Sequence, residues 1–383
     1  MTRFVHTADW QLGMTRHFLS PEAQSRFTAA RIDAVRSIGA LADAEGCAHV
    51  LVCGDVFETN HVERQVVVRT LDAMAATPDV TFHLLPGNHD PLDASSVFRS
   101  RTFTTHQPAN VVVLDSPGPH TIEPGVELVA APWVNKRPLA DLVAQAVATP
   151  TTPGTLRIAV GHGAVDELSP NSTNPALISV GHLEAAIDAG ALHYVALGDR
   201  HSTTDVGRTG RIRYAGAPEP TDFIEVDAGN ALVVDVTADT IDVTAHRIGT
   251  WSFLAAELEV TGAADLAQIT ALLGPLPDKA RTIVKLALVG HLSLAETAQL
   301  EELLDHHRDL LAALETWEYR NDLVVLPDAD DLTCLDLSGF ARDALLELRD
   351  LAVQSGGTTG GGSPEQVVAR DALGLLYRLG RTS

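Results

Sequence analysis

Apolar runs and helically spaced apolar residues alternate through the first half of the chain. Five runs have strand length and are bounded by turn residues, at residues 3–7, 49–53, 80–85, 156–160 and 193–197. After the first run, Ser20 can cap a helix that Pro21 begins and Gly46 ends. Its apolar side consists of Phe27, Ile32, Val35, Ile38 and Leu41. A second helix is predicted over 62–76. This alternation predicts a layered α/β fold.

Strand patterns dominate between residues 200 and 250. Runs at 212–214, 231–236 and 241–246 complete the pattern of the first domain. With the earlier elements they predict a two-sheet sandwich flanked by helices, an α/β (α+β) domain that covers residues 1–250.

The pattern changes near Trp251, where a second domain is predicted over residues 251–325. Its order is strand 253–260, helix 264–273, strand 282–288, helix 295–314 and strand 315–320, a small β-α-β-α-β domain. Residues 326–383 form a third segment. There we predict a helix at 338–353, a Gly/Ser/Thr linker at 355–363 and a last helix at 364–379 with one apolar side.

Composition agrees with a soluble protein of this size. The 383 residues are too many for one average domain, and 45% of them are hydrophobic. No apolar run is long enough for a membrane span, and the N-terminus leads directly into a strand, so we expect a cytoplasmic protein without membrane contact. Cys47, Cys53 and Cys334 show no metal-binding or disulfide spacing.

The chemistry-bearing side chains follow the five strand-like runs. They lie in the loops Asp9-Trp10-Gln11, Gly54-Asp55, Gly87-Asn88-His89-Asp90, Gly161-His162 and Gly198-Asp199-Arg200-His201. Because open α/β sheets bind ligands beyond the carboxyl ends of their strands, we expect these loops to meet at one edge. Together they offer three carboxylates, two amide oxygens and three imidazoles, more donors than one ion needs. The set predicts a site for two metal ions.

The same loops carry a family resemblance. The order D-x-H, G-D, G-N-H-D/E, G-H and G-H-x-H is the signature of the calcineurin-like metallophosphoesterases, and this chain resembles them. Within that superfamily, residues 6–13 (HTADWQLG), 194–198 (YVALG) and 214–219 (YAGAPE) resemble the SbcD family, the nuclease subunit of bacterial SbcCD. The resemblance covers residues 1–250 well and the rest in outline.

The resemblance implies a specific role for each of these loop residues. The first ion would be held by Asp9, Gln11, Asp55 and His201, and the second by Asp55, Asn88, His162 and Asp199. Two metals of this kind activate a water for in-line attack on phosphorus. His89 would then donate a proton to the leaving oxygen, and Asp90 would orient an imidazole from outside the metal shell.

Two of the implied ligands depart from the family pattern. Gln11 stands where most relatives have histidine, and Asp199 stands where the first histidine of G-H-x-H is expected. Two oxygen donors thus replace two imidazoles, which favours Mn²⁺, with Mg²⁺ as the alternative, over zinc. The same changes leave open a site of weakened activity.

The segments beyond residue 250 imply partners. The 251–325 domain is similar to the cap beside the active site of SbcD-like nucleases, which would position DNA; the alternative is a stabilising appendage. The C-terminal helices resemble those that bind an SbcC-like ATPase, although they can equally fold back on their own chain. Relatives also dimerise, so a homodimer is a further hypothesis.

Charge opposes a role on DNA. The formal net charge is −23, whereas proteins that bind DNA backbones by themselves usually present a basic face. The candidate phosphate contacts near the last metal loop are Arg200, Arg208, Arg211 and Arg213, with Lys136 and Arg137 after the segment at 131–133. Three hypotheses therefore stand: an SbcD-like DNA exonuclease or endonuclease of DNA repair, a phosphodiesterase or phosphatase for small nucleotides, and a binding subunit with little catalysis.

Overall fold

The chain divides into two compact units, Met1–Ser252 and Phe253–Ser383. The computed structural model describes residues 1–150, 152–170, 173–325 and 339–353, together with residues 368, 369 and 372. Each unit is described separately below.

The first unit contains five helices and twelve strands in the described ranges. The helices are α1 (Pro21–Ala44), α2 (Arg64–Ala75), α3 (Arg101–His106), α4 (Leu142–Val147) and α5 (Val180–Asp188). The strands are β1 (Thr2–Thr7), β2 (His49–Cys53), β3 (Thr81–Leu85), β4 (Val111–Val113), β5 (Gly118–Glu123), β6 (Val126–Ala130), β7 (Leu156–His162), β8 (Tyr194–Gly198), β9 (Thr204–Val206), β10 (Ile212–Tyr214), β11 (Asn230–Val236) and β12 (Ile241–Arg247).

These strands form two six-stranded sheets. The first has the order β12-β11-β1-β2-β3-β4, and the second has the order β5-β6-β7-β8-β10-β9. Strands β1, β2 and β3 run parallel, as do β6, β7, β8 and β10. The chain therefore has the mixed α/β, multi-sheet architecture flanked by helices that the sequence predicted.

Alternating side chains along each strand build three apolar layers. Phe4 and Leu51 of the first sheet share one buried cluster with Ile158 and Tyr194 of the second, which places this cluster between the sheets. On the outer face of the first sheet, residues of α1 and α2 pack over the β-strands in a second cluster. Residues of α4 and α5 cover the outer face of the second sheet in a third. The result is a sandwich of two sheets between two helical layers.

The main strands and the first helix formed where the sequence predicted them. Strand β2 has the predicted bounds, and β1, β3 and β8 each differ by one residue at one or both ends. Helix α1 begins at Pro21, and the side chain of Ser20 accepts a hydrogen bond from the amide of Ala23, as its capping role requires. Short elements such as β4, β9 and α3 lack a periodic pattern and were missed.

The second unit contains β13 (Ser252–Val260), α6 (Leu266–Leu273), β14 (Thr282–Leu292), α7 (Leu294–Arg308), β15 (Ala313–Thr316), β16 (Asp322–Val325) and α8 (Phe340–Val353). Strand β14 pairs with β13, and different parts of β14 pair in parallel with β15 and β16. The predicted helix 295–314 was too long and the strand 315–320 began too late. Leu311 and Leu314 enter the apolar cluster of this unit and β15 starts at Ala313, so burial beside β14 replaces the last helical turns.

Helix α8 coincides with the predicted helix at 338–353 apart from its first two residues. The predicted linker at 355–363 and most of the predicted helix at 364–379 lie outside the described residues. Within the described ranges, no helix combines the length and apolar character that crossing a membrane requires.

Candidate metal centre

Five loops at the ends of β1, β2, β3, β7 and β8 build the candidate site. Backbone hydrogen bonds join the first two, since the amide of Asp9 donates to the carbonyl of Gly54 (3.1 Å) and that of Gln11 donates to the carbonyl of Asp55 (2.9 Å). The amide of Asp199 donates to both carboxylate oxygens of Asp9 (3.0 and 3.1 Å), which ties the β8 loop to the β1 loop. The two sheets thus meet at this edge.

The backbone is left-handed at four of the candidate ligands. The φ angles are +54° at Asp9, +43° at Gln11, +52° at Asp55 and +98° at Asp199. Among the described non-glycine residues, only Asp278 also has positive φ. This conformation is costly for residues with a side chain and concentrates at functional sites, where the surrounding structure imposes it. Here it turns each chain sharply after its strand and brings the side chains toward one another.

Two glycines allow the loops to approach this closely. A Cβ atom at Gly87 would lie 2.2 Å from Oδ1 of Asp55, and one at Gly198 would lie 1.9 Å from the carbonyl oxygen of Cys53. No side chain fits at such distances. The glycines that begin the Gly87-Asn88-His89-Asp90 and Gly198-Asp199-Arg200-His201 loops are therefore needed for packing between loops.

His162 presents one nitrogen to a group of oxygen atoms. Its Nδ1 donates to the carbonyl of Cys53 (2.9 Å), so when the ring loses its other proton to a metal ion, the free lone pair is on Nε2. That Nε2 lies 2.7 Å from Oδ1 of Asn88, 3.5 Å from Oδ2 of Asp55 and 3.7 Å from Oδ1 of Asp199. In this orientation Oδ1 of Asn88 faces only other acceptors. A bound cation would satisfy all four donor atoms at once, whereas exchange of the Asn88 amide atoms would satisfy only part of the set.

His201 and Gln11 form the second part of the site. Nδ1 of His201 lies 2.8 Å from Oε1 of Glu225 and 2.6 Å from the hydroxyl of Thr221, so a carboxylate orients this ring. Its Nε2 lies 3.3 Å from Nε2 of Gln11. Oε1 of Gln11 is buried and has no hydrogen-bond partner. Burying such an oxygen is costly unless a cation binds it.

The electrostatics of the cluster call for positive charge. Burial raises the pKa of Asp9 to about 7, with Asp55 and Asp199 adding to the rise. Burial opposes ionisation of Asp55 as well, but His162 and His89 together lower its pKa below the usual value. Burial lowers the pKa of His162, yet the surrounding carboxylates raise it well above the ordinary value. Without a metal ion, bound protons partly neutralise the negative charge of these carboxylates. A divalent cation would neutralise it more fully.

Donor atoms of Asp9, Asp55 and His162 lie within 4.8 Å of one another and could hold one metal ion. With the orphaned oxygen of Gln11 and the acceptor group around Asn88, the residues present fit divalent metal binding.

The family comparison agrees with this site. The sequence model of the family "Calcineurin-like phosphoesterase" matches residues 2–205, more than half of the chain. The chain belongs to the calcineurin-like phosphoesterases. This confirms the family resemblance of the motifs, and the matched range contains all five loops.

Individual relatives are more distant from this phosphoesterase. Over 93 residues it is 33% identical to the SbcD subunit of the nuclease SbcCD from Rhodobacter capsulatus, a stretch that covers 23% of this chain and 22% of that protein. Among solved structures, TT1561 of Thermus thermophilus is similar over 64% of this chain and 99% of that chain, with a TM-score of 0.40 and 8% identity. A dimetal phosphatase from Danio rerio is similar over 64% of this chain and 96% of its own, with a TM-score of 0.37 and 12% identity.

The two candidate catalytic residues, His89 and Asp90, make different contacts. The amide of His89 donates to Oδ1 of Asp55 (2.9 Å), and its ring Nδ1 donates to the carbonyl of Glu58 (2.9 Å). Nε2 of His89 is 4.0 Å from Oδ2 of Asp55. The carboxylate of Asp90 instead accepts hydrogen bonds from the amides of Gly87 and Phe57. Asp90 thus holds the β2 and β3 loops together through backbone amides, rather than through the imidazole contact we expected.

The four candidate arginines do not all reach the phosphoesterase site. Only Arg200 lies in a metal loop, where its Nε donates to the hydroxyl of Thr204 (2.9 Å). Strand β10 is parallel to β8, and β9 is antiparallel to β10. The turn with Arg208 and Arg211, the residue before β10, therefore lie at the opposite edge of the sheet. Arg211 donates to the carbonyl of His193 there (2.7 Å).

Arg208 and Arg213 form ion pairs with carboxylates. Arg208 pairs with Glu184 and Asp188, and Arg213 pairs with Asp205 (3.1 Å). The proposed substrate role of Arg208, Arg211 and Arg213 therefore finds no geometric support. The sequence could not reveal this because it depends on the direction of a three-residue strand.

Sequence reasoning missed three contributors to the site. Thr221 and Glu225 contact His201 from a loop without a recognised motif. The indole of Trp133 donates to the carbonyl of His162 (2.7 Å) and packs edge-on against its ring. Only the nearness of the 131–133 segment to a strand end offered a signal for Trp133.

Proposed function

We propose that this chain is a two-metal-dependent phosphodiester hydrolase that cleaves DNA as the nuclease subunit of an SbcCD-like complex in DNA repair. The family, the fold and a candidate metal centre are established above. The DNA substrate, the number of ions, their ligands and the partner are our inferences.

The convergence of candidate ligand atoms carries the hydrolase part. Side-chain atoms of Asn88, Asp55 and Asp199 lie 2.7, 3.5 and 3.7 Å from Nε2 of His162, a grouping that a bound cation would satisfy in full. We assign these residues to one ion, and Asp9, Gln11 and His201 to the other, with Asp55 serving both. The oxygen-rich set favours Mn²⁺ or Mg²⁺. When bound, such ions supply a nucleophilic water and neutralise charge on the phosphate.

The protein side chains would divide the remaining work. His89 is 37% exposed on its side chain, and its Nδ1 donates to the carbonyl of Glu58, so the proton for a leaving oxygen would come from Nε2 of the doubly protonated ring. Glu225 keeps the His201 ring in one orientation through Nδ1. Trp133 donates to the carbonyl of His162 and packs against its ring, which restricts movement of that ligand.

The 93-residue similarity to the SbcD subunit of the Rhodobacter capsulatus nuclease supports DNA as the substrate. The surface supports it less, because the net charge is −23 and two candidate arginines lie at the far edge. This charge distribution favours a second candidate function, hydrolysis of small nucleotide phosphodiesters, for which a few local contacts suffice. The buried oxygen of Gln11 speaks against a binding subunit without metals, since it has no hydrogen-bond partner among the described residues.

Hydrolysis of three substrates in Mn²⁺ tests the proposal. End-labelled duplex DNA, a cyclic nucleotide and a chromogenic phosphodiester would be incubated with the wild type and with Asp55→Asn, which keeps the size of the side chain and removes its charge. We expect wild-type cleavage of DNA and the chromogenic ester, and loss of both in the variant. Cleavage of the cyclic nucleotide with intact DNA would replace the nuclease by the small-substrate enzyme, and equal rates for both proteins would refute the metal site.

Partner binding has a separate test. We propose that the C-terminal segment binds an SbcC-like ATPase and that the unit after residue 252 positions DNA. Deleting residues 356–383 should weaken binding of a purified SbcC-type ATPase in a pull-down and leave hydrolysis of the chromogenic ester unchanged. Full binding by the truncated chain would remove the docking role. A homodimer, the other partner hypothesis, would double the mass found by light scattering.

A further inference from the structure

Arg31 of α1 is buried without a carboxylate bound to its guanidinium in the hydrogen bonds of the described residues. Only 2% of the residue is exposed. Nη1 donates to the carbonyl of Trp10 (2.9 Å), and Nη2 donates to those of Pro220 (2.9 Å) and Glu219 (3.4 Å). One side chain therefore joins the loop after β1 to the loop after β10.

Both of these loops carry the first-ion ligands that we propose or the groups that contact them. Trp10 stands between Asp9 and Gln11. Pro220 directly precedes Thr221, whose hydroxyl contacts Nδ1 of His201 (2.6 Å). His201 lies in the loop after β8, and Thr221 contacts its Nδ1 while its Nε2 lies 3.3 Å from Nε2 of Gln11. A shift of the loop after β10 relative to the loop after β1 would therefore reach that separation through Thr221.

An arginine suits this position for a specific reason. Its planar guanidinium offers several fixed donors and can bind carbonyls on two chain segments, whereas a lysine ammonium is a single flexible centre. The ring of Phe27 lies 4.6 Å from the guanidinium carbon and offsets part of the burial cost. Burial lowers the pKa of Arg31 to about 10, so the charge persists at neutral pH. An apolar residue would fill the space at lower electrostatic cost, so the charge points to a role beyond packing.

The ligands of the other ion are held by different groups. Cys53 fixes His162 through its carbonyl, and the amide of His89, next to Asn88, donates to Oδ1 of Asp55. None of the hydrogen bonds described for Arg31 reaches these loops. Loss of Arg31 should therefore affect the two ions unequally.

We propose that Arg31 is a positioning residue that sets the separation of Gln11 and His201 and so selectively strengthens binding of the first metal ion. This rests on the proposed two-metal function. It adds a residue outside the metal loops to the determinants of metal affinity.

Stepwise Mn²⁺ binding to the metal-free protein tests the proposal, with free Mn²⁺ followed by its electron paramagnetic resonance signal. Arg31→Met keeps an unbranched side chain in the space and removes the donors. We expect the binding step that Gln11→Gly weakens, which is that of the first ion, to lose roughly tenfold or more in affinity, as for other groups that orient ligands, and the other step to change less than about threefold. Arg31→Lys should recover part of the loss.

Arg157→Met is the control for loss of a buried arginine. Arg157 is fully buried as well, but it pairs with Glu127 (2.6 Å) and lies at the start of β7, where Nη2 donates to the hydroxyl of Thr149 (3.0 Å) at the end opposite His162. Thermal denaturation would show the general cost of losing a buried arginine in each variant. We expect Arg157→Met to melt earlier than the wild type and to retain both Mn²⁺ affinities.

A double-mutant cycle on first-ion affinity separates the proposed role of Arg31 from general destabilisation. Because Gln11→Gly removes the ligand that Arg31 positions, adding Arg31→Met to it should change first-ion affinity by less than about threefold. In Asn88→Ala, the tenfold effect of Arg31→Met on the first ion should remain. Equal weakening of both steps by Arg31→Met, or a selective loss in Arg157→Met, would overturn the role of Arg31. A wild type that binds no Mn²⁺ would instead overturn the proposed function.

Discussion

His6 makes the stability of this protein depend on pH in a way that can be isolated. It lies fully buried in β1 between the two sheets. Its Nε2 donates to the carbonyl of Leu197 (3.1 Å), and its Nδ1 accepts from the hydroxyl of Tyr194 (3.0 Å). The folded protein thus uses the neutral ring as a bridge from one sheet to the other. Burial lowers the pKa of His6 from 6.5 to about 3.

Acid should therefore weaken the fold through this side chain. In the unfolded chain His6 takes up a proton below about pH 6.5, while in the folded protein it stays neutral until about pH 3. Its contribution is complete above the unfolded value and is lost as the pH falls toward the folded value. One proton changes the free energy of unfolding by about 1.4 kcal/mol per pH unit, so the loss between pH 6.5 and pH 5 is about 2 kcal/mol.

Urea denaturation of the wild type and His6→Gln, from neutral pH to about pH 5 in chelator, measures this effect. Glutamine can donate to the carbonyl and accept from the phenol but does not titrate. We expect the wild type to lose about 2 kcal/mol relative to the variant. Burial raises the pKa of Asp9 and of Asp90 to about 7, but both groups are present in both proteins and cancel in the difference. His182→Gln, which removes an exposed imidazole from α5, is the control. If the difference in free energy of unfolding between the wild type and His6→Gln changed by less than about 0.5 kcal/mol over this pH range, the reasoning would be refuted.

Three further predictions concern the metal edge. His89→Gln should slow cleavage of a chromogenic phosphodiester by roughly 100-fold to 10,000-fold while Mn²⁺ binding is retained, and an unchanged rate would exclude it as the proton donor. Gly87→Ala should lower stability by about 1–3 kcal/mol in urea denaturation and weaken Mn²⁺ binding, because its Cβ would lie 2.2 Å from the Asp55 carboxylate; a wild-type binding curve would contradict this. Glu225→Gln should weaken the first ion by roughly 10-fold to 100-fold in the same binding assay, since the His201 ring loses its charged partner, and an equal loss at both ions would argue against that pairing.

The sequence predicted which loops meet because parallel strands end at a common edge. Asp9 and Asp55 follow adjacent strands β1 and β2, while His162 and Asp199 follow β7 and β8, and the structure brings these four side chains together. Their assignment to individual ions stays a prediction. The strand-length apolar runs predicted the central strands correctly because both faces of these strands are buried.

Features that depend on short or irregular segments escaped the sequence. Glu225 reaches His201 across a loop whose path no periodic pattern specifies. The arginines at 208 and 211 lie at the far edge because β9 and β10 form a hairpin with three-residue strands. In the second unit, Ala313 belongs to β15 rather than to the predicted helix because tertiary burial outweighed helical propensity. Each case was decided by contacts between residues far apart in the chain.

The left-handed backbone at Asp9, Asp55 and Asp199 bears on how this protein can change over evolutionary time. Asparagine and glycine tolerate that conformation well, and alanine or a branched residue does not. A lineage released from selection for metal binding would therefore retain folded descendants mainly by exchanging these aspartates for asparagine or glycine. Such descendants would keep the loop shapes and lose the ions. Asparagine or glycine at these positions in an otherwise similar chain would thus mark a lost activity in a protein whose architecture survives.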